Sequence, residues 1–269
     1  MNACEDPVLQ HGLAYERFMG RWSRLTGEQF IAWLGIPSQQ RWLEVGCGTG
    51  AFTELILAAC DPKTIVALDP SEQQLAYARR RVTDRRLDIR TGDAISIAAP
   101  NDAFDIAVAA LVLNFVPDQE TAVAEMARVV RPGGTVAVYV WDFAGGLNIT
   151  QHLSDVLAAV APDADRATRA AQNAASTQPG ALADLFRSAG LANVDTRSLD
   201  ITAQFEDFED YWASNLTTIP SINIAAMASC SLRPDGINVL QQRLKDTLPA
   251  GADGKIAFAA RAWAVRGTV

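Results

Sequence analysis

The stretch Trp42 to Gly50, Trp-Leu-Glu-Val-Gly-Cys-Gly-Thr-Gly, constrains the fold of this chain more than any other. An apolar run ends at a glycine-rich turn, and residues 51–57 continue with the helical spacing of apolar side chains. The three glycines remove side chains where a ligand must approach the backbone and where φ can be positive. The helix that follows directs its free N–H groups and positive dipole end at the same turn, which suits an anionic group.

Glu44 distinguishes this turn from the similar turn of dinucleotide-binding proteins. It lies inside the predicted strand, two positions before the first glycine, where a carboxylate is costly without a polar partner. A pyrophosphate would be repelled by this charge, whereas the ammonium of a zwitterionic amino acid would offset it. The pattern therefore favours S-adenosylmethionine as the ligand, and a turn without any ligand is the alternative.

Residues 43–50 resemble the first motif of class I S-adenosylmethionine-dependent methyltransferases. The resemblance covers residues 41–142 and includes the Arg-Pro-Gly-Gly turn of residues 131–134 before a fifth strand. It implies that the loop wraps the methionine part of S-adenosylmethionine, with S-adenosylhomocysteine as the product. The loop residues that it assigns to cofactor binding, besides Glu44, are Gly46, Cys47 and Gly48.

Two more acidic residues follow the next two predicted strands. Asp69 ends the second strand, where a carboxylate can accept both ribose hydroxyls of either NAD or S-adenosylmethionine. Asp93 follows the third strand, and the family resemblance implies that it accepts a hydrogen bond from the adenine amine. Pro70 and Ala94, which follow these two acids, are included among the expected cofactor contacts. Because three successive strands end in acids, we expect the acids to meet at one edge of a parallel sheet.

Residues 104–118 contain a fourth strand, apolar on both faces as a central parallel strand should be, and its exit. Ala109 and Ala110 are expected to border the cofactor. Metal-dependent catechol-type enzymes carry carboxylates in this region, so no metal is expected. Residues 114–117 differ from the Asn-Pro-Pro-Tyr motif of adenine-N6 enzymes, and no cysteine follows a proline as cytosine-C5 enzymes require.

These patterns predict one α/β domain over residues 1–269. The resemblance implies a Rossmann-like fold with a seven-stranded, mostly parallel sheet, an antiparallel last strand and helices on both faces. Residues 41–142 are the expected cofactor-binding core, and residues 12–36 an N-terminal helical cap. Residues 144–178 and 206–250 interrupt the alternation of strands and helices, and we expect them to form helical lid insertions that bind the substrate.

The N-terminal residues 15–22 are rich in large side chains with polar tips. Related methyltransferases use an N-terminal helix of this kind to close over the cofactor. Tyr15, Met19 and Trp22 are therefore candidates for cofactor contacts, with burial in the core as the alternative.

The chemistry that the resemblance implies asks little of the protein's side chains. The sulfonium is already activated, so the protein must mainly align a nucleophile with the methyl group and exclude water. A general base is needed only where the acceptor is protonated at the working pH, and His152 and Asp142 are the candidates. We expect methyl transfer to an O, N or C atom of a small molecule. A catalytically silent cofactor-binding or partner-binding module and an NAD-dependent dehydrogenase are the alternatives, the latter disfavoured by Glu44 and residues 131–134.

The net charge of −8, from 23 basic and 31 acidic residues, argues against a nucleic-acid partner. The basic cluster at residues 79–90 is expected to be a helix-end partner or a solvated face. The four cysteines show neither metal nor disulfide spacing, and the first residues lack the basic and apolar regions of a signal peptide. The longest apolar run, residues 106–113, is too short to span a bilayer. We therefore expect a cytoplasmic protein with a small-molecule acceptor and no membrane partner.

Overall fold

The computed structural model describes residue 16 and residues 20–160, 177–215 and 234–269. The strands are β1 (Arg41–Val45), β2 (Thr64–Asp69), β3 (Leu87–Thr91), β4 (Phe104–Ala110), β5 (Val130–Trp141), β6 (Ala192–Phe205) and β7 (Ile256–Thr268). The helices are α1 (Arg21–Leu34), α2 (Ala51–Ala59), α3 (Glu72–Arg81), α4 (Gln119–Val129), α5 (Asn148–Val160), α6 (Pro179–Ser188), α7 (Phe208–Asn215) and α8 (Pro234–Thr247). A single 3-10 turn, Leu113–Phe115, follows β4.

Within the described residues the seven strands form one sheet in the order β3-β2-β1-β4-β5-β7-β6. The pairs among β1 to β5 are parallel, and β7 runs antiparallel to both β5 and β6. This confirms the predicted seven-stranded, mostly parallel sheet with an antiparallel last strand. The strand order reverses between β1 and β4, which is where open α/β sheets bind ligands, outside the carboxyl ends of the strands.

Helices cover both faces of the sheet, as predicted. On one face α1, α2 and α3 bury an aromatic-rich core, in which the rings of Phe30 and Tyr139 lie 4.7 Å apart. On the other face α4 and α6 contribute Met126 and Phe186, both fully buried. Burial on both faces explains why the central strands read as continuous apolar runs.

The two ends of the β4–β5 region depart from regular strand geometry. Residues 131–134, predicted as a turn before the fifth strand, form an irregularity within β5, because Phe104 pairs with Val130 and Ile106 pairs with Thr135. Gly133 adopts a φ of +75° in this segment. At the carboxyl end of β4, Leu111 has a φ of +61° and its N–H donates to the carbonyl of Tyr139, so the chain turns away from the sheet.

Strands β6 and β7 extend beyond the carboxyl end of β5. The last residue of β5, Trp141, pairs with Ala262, whereas residues 256–261 of β7 pair with residues 200–205 of β6 and, among the described residues, with none of β5. Leu147 forms a bridge to Ala260, and α5, α7 and α8 contribute buried side chains to the same core. We call this two-stranded extension the β6–β7 ribbon. It places helical segments of both predicted insertions beyond the edge where β1 to β5 end.

Candidate functional site

The glycine loop, residues 46–50, lies between β1 and α2 and is held against the end of β2. The N–H groups of Gly46 and Cys47 both donate to the carbonyl of Leu68, at 2.7 and 2.8 Å. All three glycines have positive φ values, +75° at Gly46, +53° at Gly48 and +81° at Gly50. The sequence-based expectation of left-handed backbone in this loop is therefore confirmed, and its physical reason is that L side chains are strained there.

Close packing adds a second requirement for glycine at position 46. A Cβ atom on Gly46 would overlap the side chain of Val112, which lies in the segment that leaves β4. The loops after β1 and β4 thus contact each other at the reversal of the strand order. Because no room for a side chain exists here, the path of the loop backbone is fixed by its neighbours.

Glu44 is the most unusual group of the site. Its side chain is 1% exposed, one carboxylate oxygen accepts a 2.6 Å hydrogen bond from the Thr53 hydroxyl, and the other oxygen has no partner among the described residues. Burial raises the pKa of Glu44 to about 7; the bond from Thr53 opposes that rise and the charge of Asp69 adds to it. A buried carboxylate with an unsatisfied oxygen is a favourable partner for a cationic ligand group.

Asp69 connects the end of β2 to the glycine loop. Its carboxylate is largely buried and accepts hydrogen bonds from the N–H groups of Gly48, at 2.9 Å, and Ser71, at 2.8 Å. Burial raises the pKa of Asp69, although these two backbone bonds act in the opposite direction. Each carboxylate oxygen has two lone pairs, so both oxygens retain the capacity to accept a hydroxyl from a ligand. Pro70, next to it, is exposed.

Asp93 lies just beyond the end of β3 and is exposed. It accepts a hydrogen bond from the N–H of Ile95 at 3.2 Å, and no other side-chain partner is recorded for it among the described residues. The neighbouring Ala94 is partly buried against the core under α4. Since β1, β2 and β3 are adjacent and parallel, the structure brings Glu44, Asp69 and Asp93 to the same edge of the sheet.

Two small residues, Ala109 and Ala110, lie at the carboxyl end of β4. Ala109 is buried and packs in the core on the α4 face, whereas Ala110 is partly exposed and packs on the opposite face, the one shared with α2. Their expected contact with the cofactor stays a prediction.

Cys47 is buried within the loop at 5% exposure. Burial raises the pKa of its thiol well above the ordinary range, and the charges of Glu44 and Asp69 act in the same direction. A thiol that stays protonated is a poor nucleophile. Cys47 therefore contributes backbone and packing to the loop, as its place in the motif implies.

Of the three N-terminal candidates only Trp22 belongs to the described residues; Tyr15 and Met19 lie outside them. Trp22 is 6% exposed and packs edge-on against Phe205 at the tip of β6, with ring centroids 5.3 Å apart. The guanidinium of Arg21 lies 4.4 Å from the same indole. The structure therefore places Trp22 in the packing between α1 and the β6–β7 ribbon, and its contact with the cofactor stays a prediction.

The two candidate general bases lie in different surroundings. Asp142 follows β5 and accepts hydrogen bonds from the N–H of Ala144 at 3.2 Å and from the amide of Gln178 at 3.0 Å. His152, on α5, is half-buried, with its ring 5.7 Å from that of Phe258 and 3.3 Å from the hydroxyl of Thr247. Burial lowers the pKa of His152. Asp142 is thus engaged in holding a turn, and His152 is a half-buried imidazole beside the hydroxyl of Thr247.

Sequence reasoning missed three polar residues that contact the site. Thr53 donates to Glu44. It is a buried polar residue on the face of α2 that packs on the sheet, and a polar residue on such a face is the signal that could have identified it. Thr49 and Glu16 share a 2.7 Å hydrogen bond beside the glycine loop, across 33 residues of sequence. Nothing in the local sequence pattern indicated that pairing.

The arginine-rich cluster is used for ion pairs with acidic side chains. Arg79 pairs with Glu72, Arg86 with Asp84 and Asp61, and Arg90 with Asp88. Arg81 pairs with Glu16 and Glu54. The last turn of α3 carries three of the arginines, in agreement with their expected role at a helix end.

Over the described ranges no group of three or more histidine, cysteine, aspartate and glutamate side chains has an arrangement that could hold a metal ion. No helix within those ranges is both long and apolar enough to pass through a lipid bilayer.

Both the sequence and the fold of this chain are similar to those of known proteins. Residues 43–138 match a family model described as a methyltransferase domain. Trans-aconitate 2-methyltransferase of Variovorax paradoxus is 30% identical over 151 residues, which cover 56% of each protein. Demethylmenaquinone methyltransferase of Halalkalibacterium halodurans is 32% identical over 133 residues, 45% of this chain and 54% of that protein. The chain thus matches about half the length of these curated relatives.

Among solved structures, phosphoethanolamine N-methyltransferase 2 of Haemonchus contortus in complex with S-adenosyl-L-methionine has the same fold, with a TM-score of 0.58. The superposition covers 96% of this chain and 56% of that one, at 15% sequence identity. Residues 43–138 are thus similar in sequence to a methyltransferase domain, and the chain has the fold of solved methyltransferases.

Proposed function

We propose that this chain binds S-adenosylmethionine at the edge formed by the glycine loop and transfers its methyl group to a small molecule. The observation that carries the proposal is the unpartnered oxygen of Glu44, buried beside a loop whose three glycines all have positive φ. A buried carboxylate oxygen without a donor is costly, and a ligand ammonium would satisfy it.

The residues of this edge fit the parts of the cofactor one by one. Glu44 would accept from the ammonium group, and the positive end of α2 favours the carboxylate of the same amino acid. Asp69, fixed by two backbone N–H groups, would accept from the ribose hydroxyls, and the exposed Asp93 from the adenine amine. When bound, the cofactor supplies a methyl group that is already activated.

The part left to the protein is to align the acceptor and exclude water. The Asp142 carboxylate already accepts hydrogen bonds from Ala144 and Gln178, so we assign it a structural role. His152 would serve as a general base only for an acceptor that carries a proton at the working pH. The lowered pKa of His152 favours its neutral imidazole, which is the form that accepts a proton.

We propose further that the two insertions and the N-terminal segment form a lid over the acceptor. Described parts of these segments already touch one another: Arg21 binds Asp210 of α7 through two hydrogen bonds, at 2.9 and 3.3 Å, and His152 of α5 lies against Thr247 of α8. All of them pack on the β6–β7 ribbon, beyond the edge that carries the acids.

Hydrogen exchange with and without S-adenosylhomocysteine tests the lid. Such a lid must open to admit ligands, so protection should rise in residues 12–22 and in at least one insertion. A change confined to the loops after β1, β2 and β3 would contradict the lid and leave the cofactor site intact.

The acceptor is the least constrained part of the proposal. The two curated relatives are named for trans-aconitate and demethylmenaquinone, and the Haemonchus protein for phosphoethanolamine. These are different small molecules. We therefore propose a small-molecule O, N or C acceptor and a cytoplasmic protein, without a nucleic-acid or membrane partner, in keeping with the net charge of −8.

Calorimetric titration with S-adenosylhomocysteine, and with NADH as the matched dinucleotide, tests the cofactor. We expect saturable binding of the first and none of the second; the opposite result would contradict the proposal. Transfer of a radiolabelled methyl group is then measured against a panel of small carboxylates, phenols, quinols and amines. Tight cofactor binding without transfer to any member would favour the alternative of a catalytically silent cofactor-binding module.

A further inference from the structure

Glu16 contacts the glycine loop through the side chain of Thr49. Its carboxylate oxygen accepts a 2.7 Å hydrogen bond from the hydroxyl of Thr49, a loop residue that is only 2% exposed. The same oxygen lies 2.7 Å from the guanidinium of Arg81, at the end of α3. Glu16 is thus held by one donor from the loop and one cation from a neighbouring helix.

The surroundings of Glu16 show that this contact is supported on several sides. A Cβ atom on Gly20 would overlap the Glu16 carboxylate, so a glycine at that position leaves room for it. Arg81 also pairs with Glu54 at 2.7 Å, and Arg24 approaches Glu54 at 3.2 Å. Arg24, Glu54, Arg81 and Glu16 therefore form a chain of ion pairs that joins α1, α2 and α3. The Arg81 and Glu16 side chains are 17% and 23% exposed.

A parallel arrangement exists on the other side of the loop. Thr53, four residues after Thr49, donates a hydrogen bond to Glu44, just as Thr49 donates one to Glu16. The backbone between them contains Gly50, whose φ of +81° begins α2. The first of these threonine–glutamate hydrogen bonds joins α2 to β1 and the second holds the loop, and only Glu44 belongs to the ligand edge described above.

We infer that Glu16 is a positioning residue for cofactor binding, acting through the hydroxyl of Thr49 on the glycine loop. The inference rests on the proposed function. Glu16 need not touch the cofactor: its hydrogen bond selects the loop conformation in which Gly48 donates to Asp69. Loss of that bond frees the loop to adopt other conformations, and a ligand must then restore the competent one.

The chain around Glu16 also connects the loop to the second insertion. Arg21, five positions later, binds Asp210 and Ser214 of α7. One short stretch is therefore anchored at residue 16 to the glycine loop and at residue 21 to a helix on the β6–β7 ribbon. This placement gives Glu16 a role that an ordinary surface ion pair does not have.

The test compares S-adenosylhomocysteine affinity by calorimetry in Glu16→Ala, Thr49→Val, their double variant and Thr49→Ser. Each of the first two should weaken binding about tenfold, the usual effect of one charge-assisted hydrogen bond. The double variant should be no weaker than the more affected single variant, because both remove the same interaction. Thr49→Ser keeps the hydroxyl and should stay within about twofold of the wild type. Glu54→Gln touches the same Arg81 but not the loop, and serves as the matched control.

Three outcomes would overturn the inference: wild-type affinity in Glu16→Ala, independent effects that multiply in the double variant, or failure of Thr49→Ser to retain binding. Thermal unfolding of the ligand-free variants separates positioning from folding, since Glu54→Gln should lose as much stability as Glu16→Ala without losing affinity. If Glu16→Ala does not fold, the comparison of Thr49→Val with Thr49→Ser still decides. Absence of binding by the wild type would instead contradict the proposed function.

Discussion

Glu44 accepts a 2.6 Å hydrogen bond from Thr53 through one carboxylate oxygen, while its other oxygen is buried without a partner. The first oxygen explains why the side chain tolerates its position in β1. The second explains why the position is costly until a donor arrives. The site is therefore complementary to a cation before any ligand binds.

The first prediction concerns the pH dependence of stability. Burial raises the pKa of Glu44 from 4.5 to about 7, so between these values the folded state holds a proton that the unfolded chain has lost. The contribution of Glu44 to stability therefore falls as pH rises from 4.5 to about 7, and stays low above that. Glu44→Gln should remove this fall and gain about 2–3 kcal/mol over the wild type on going from about pH 4 to pH 8.

Urea unfolding of the ligand-free wild type and Glu44→Gln at these two pH values measures the effect. Thr53→Val is the matched comparison: loss of a bond that lowers the pKa of Glu44 should make the fall larger and extend it to higher pH. A difference between wild type and Glu44→Gln that is the same at both pH values would contradict the argument. Glu44→Gln should also weaken S-adenosylhomocysteine binding, so its gain in stability and its loss of affinity go together.

The second prediction separates Asp69 from Asp93. Asp69 holds Gly48 and Ser71 through backbone hydrogen bonds, whereas Asp93 is exposed and accepts one weak bond from Ile95. Asp69→Ala should lose both stability and cofactor affinity, each by about 1.5–3 kcal/mol for every charge-assisted bond removed. Asp93→Ala should lose affinity alone.

Chemical denaturation and calorimetry with S-adenosylhomocysteine, run on both variants, provide the two readouts. Equal stability losses in the two variants would contradict the structural distinction. Unchanged affinity in both would remove ribose and adenine from the proposed site.

The third prediction concerns Gly46, where a positive φ and a steric contact act together. Gly46→Ala would strain the backbone at a φ of +75° and press a methyl group against Val112. We expect a loss of about 2–4 kcal/mol in the free energy of unfolding, from the combined cost of strain and overpacking. Gly180→Ala, at a position with nothing within 4 Å of the added Cβ, is the control and should change stability little.

A double variant, Gly46→Ala with Val112→Ala, shows how the cost divides. Removal of the Val112 methyl groups should recover the steric part and leave the backbone strain. No recovery at all would show that strain alone accounts for the loss.

The edge that carries the glycine loop and the acids was predictable from sequence because its determinants are local; that it binds a cofactor stays a prediction. A glycine loop between a strand and a helix imposes its own backbone geometry, and acids placed at strand ends meet wherever the strands are parallel. Gly46, Glu44 and Asp69 follow from these two rules. The antiparallel β7 was supplied by family resemblance, since no local pattern distinguishes it from a parallel strand.

The remainder depends on contacts between distant segments. Glu16 meets Thr49 across 33 residues, and Arg21 meets Asp210 across 189. No periodicity or motif specifies such pairs, because each requires the sheet order and the path of the β6–β7 ribbon. Asp142 illustrates the same limit: its position at the end of β5 was correct, but its hydrogen bond to Gln178 became visible only in three dimensions.

The last prediction concerns the opposite edge of the sheet, where Asp105 binds two arginines. Its carboxylate accepts from the side chain of Arg41 at 3.0 and 3.1 Å and from that of Arg131 at 2.7 Å. These bonds, led by that of Arg41, hold the pKa of Asp105 well below its usual range. A depressed carboxyl pKa stabilises the fold above the unfolded-state value, near 4, and this contribution is lost as pH falls below it.

Asp105→Asn should therefore lower the free energy of unfolding at pH 7 by about 1–2 kcal/mol, because the arginines are partly exposed and regain water. The difference from wild type should shrink on acidification to about pH 3, opposite in direction to the effect at Glu44. Affinity for S-adenosylhomocysteine should stay unchanged. Asp105 lies near the amino end of β4, whereas Glu44, Asp69 and Asp93 lie toward the carboxyl ends of their strands. Weakened binding with unchanged stability would contradict this assignment.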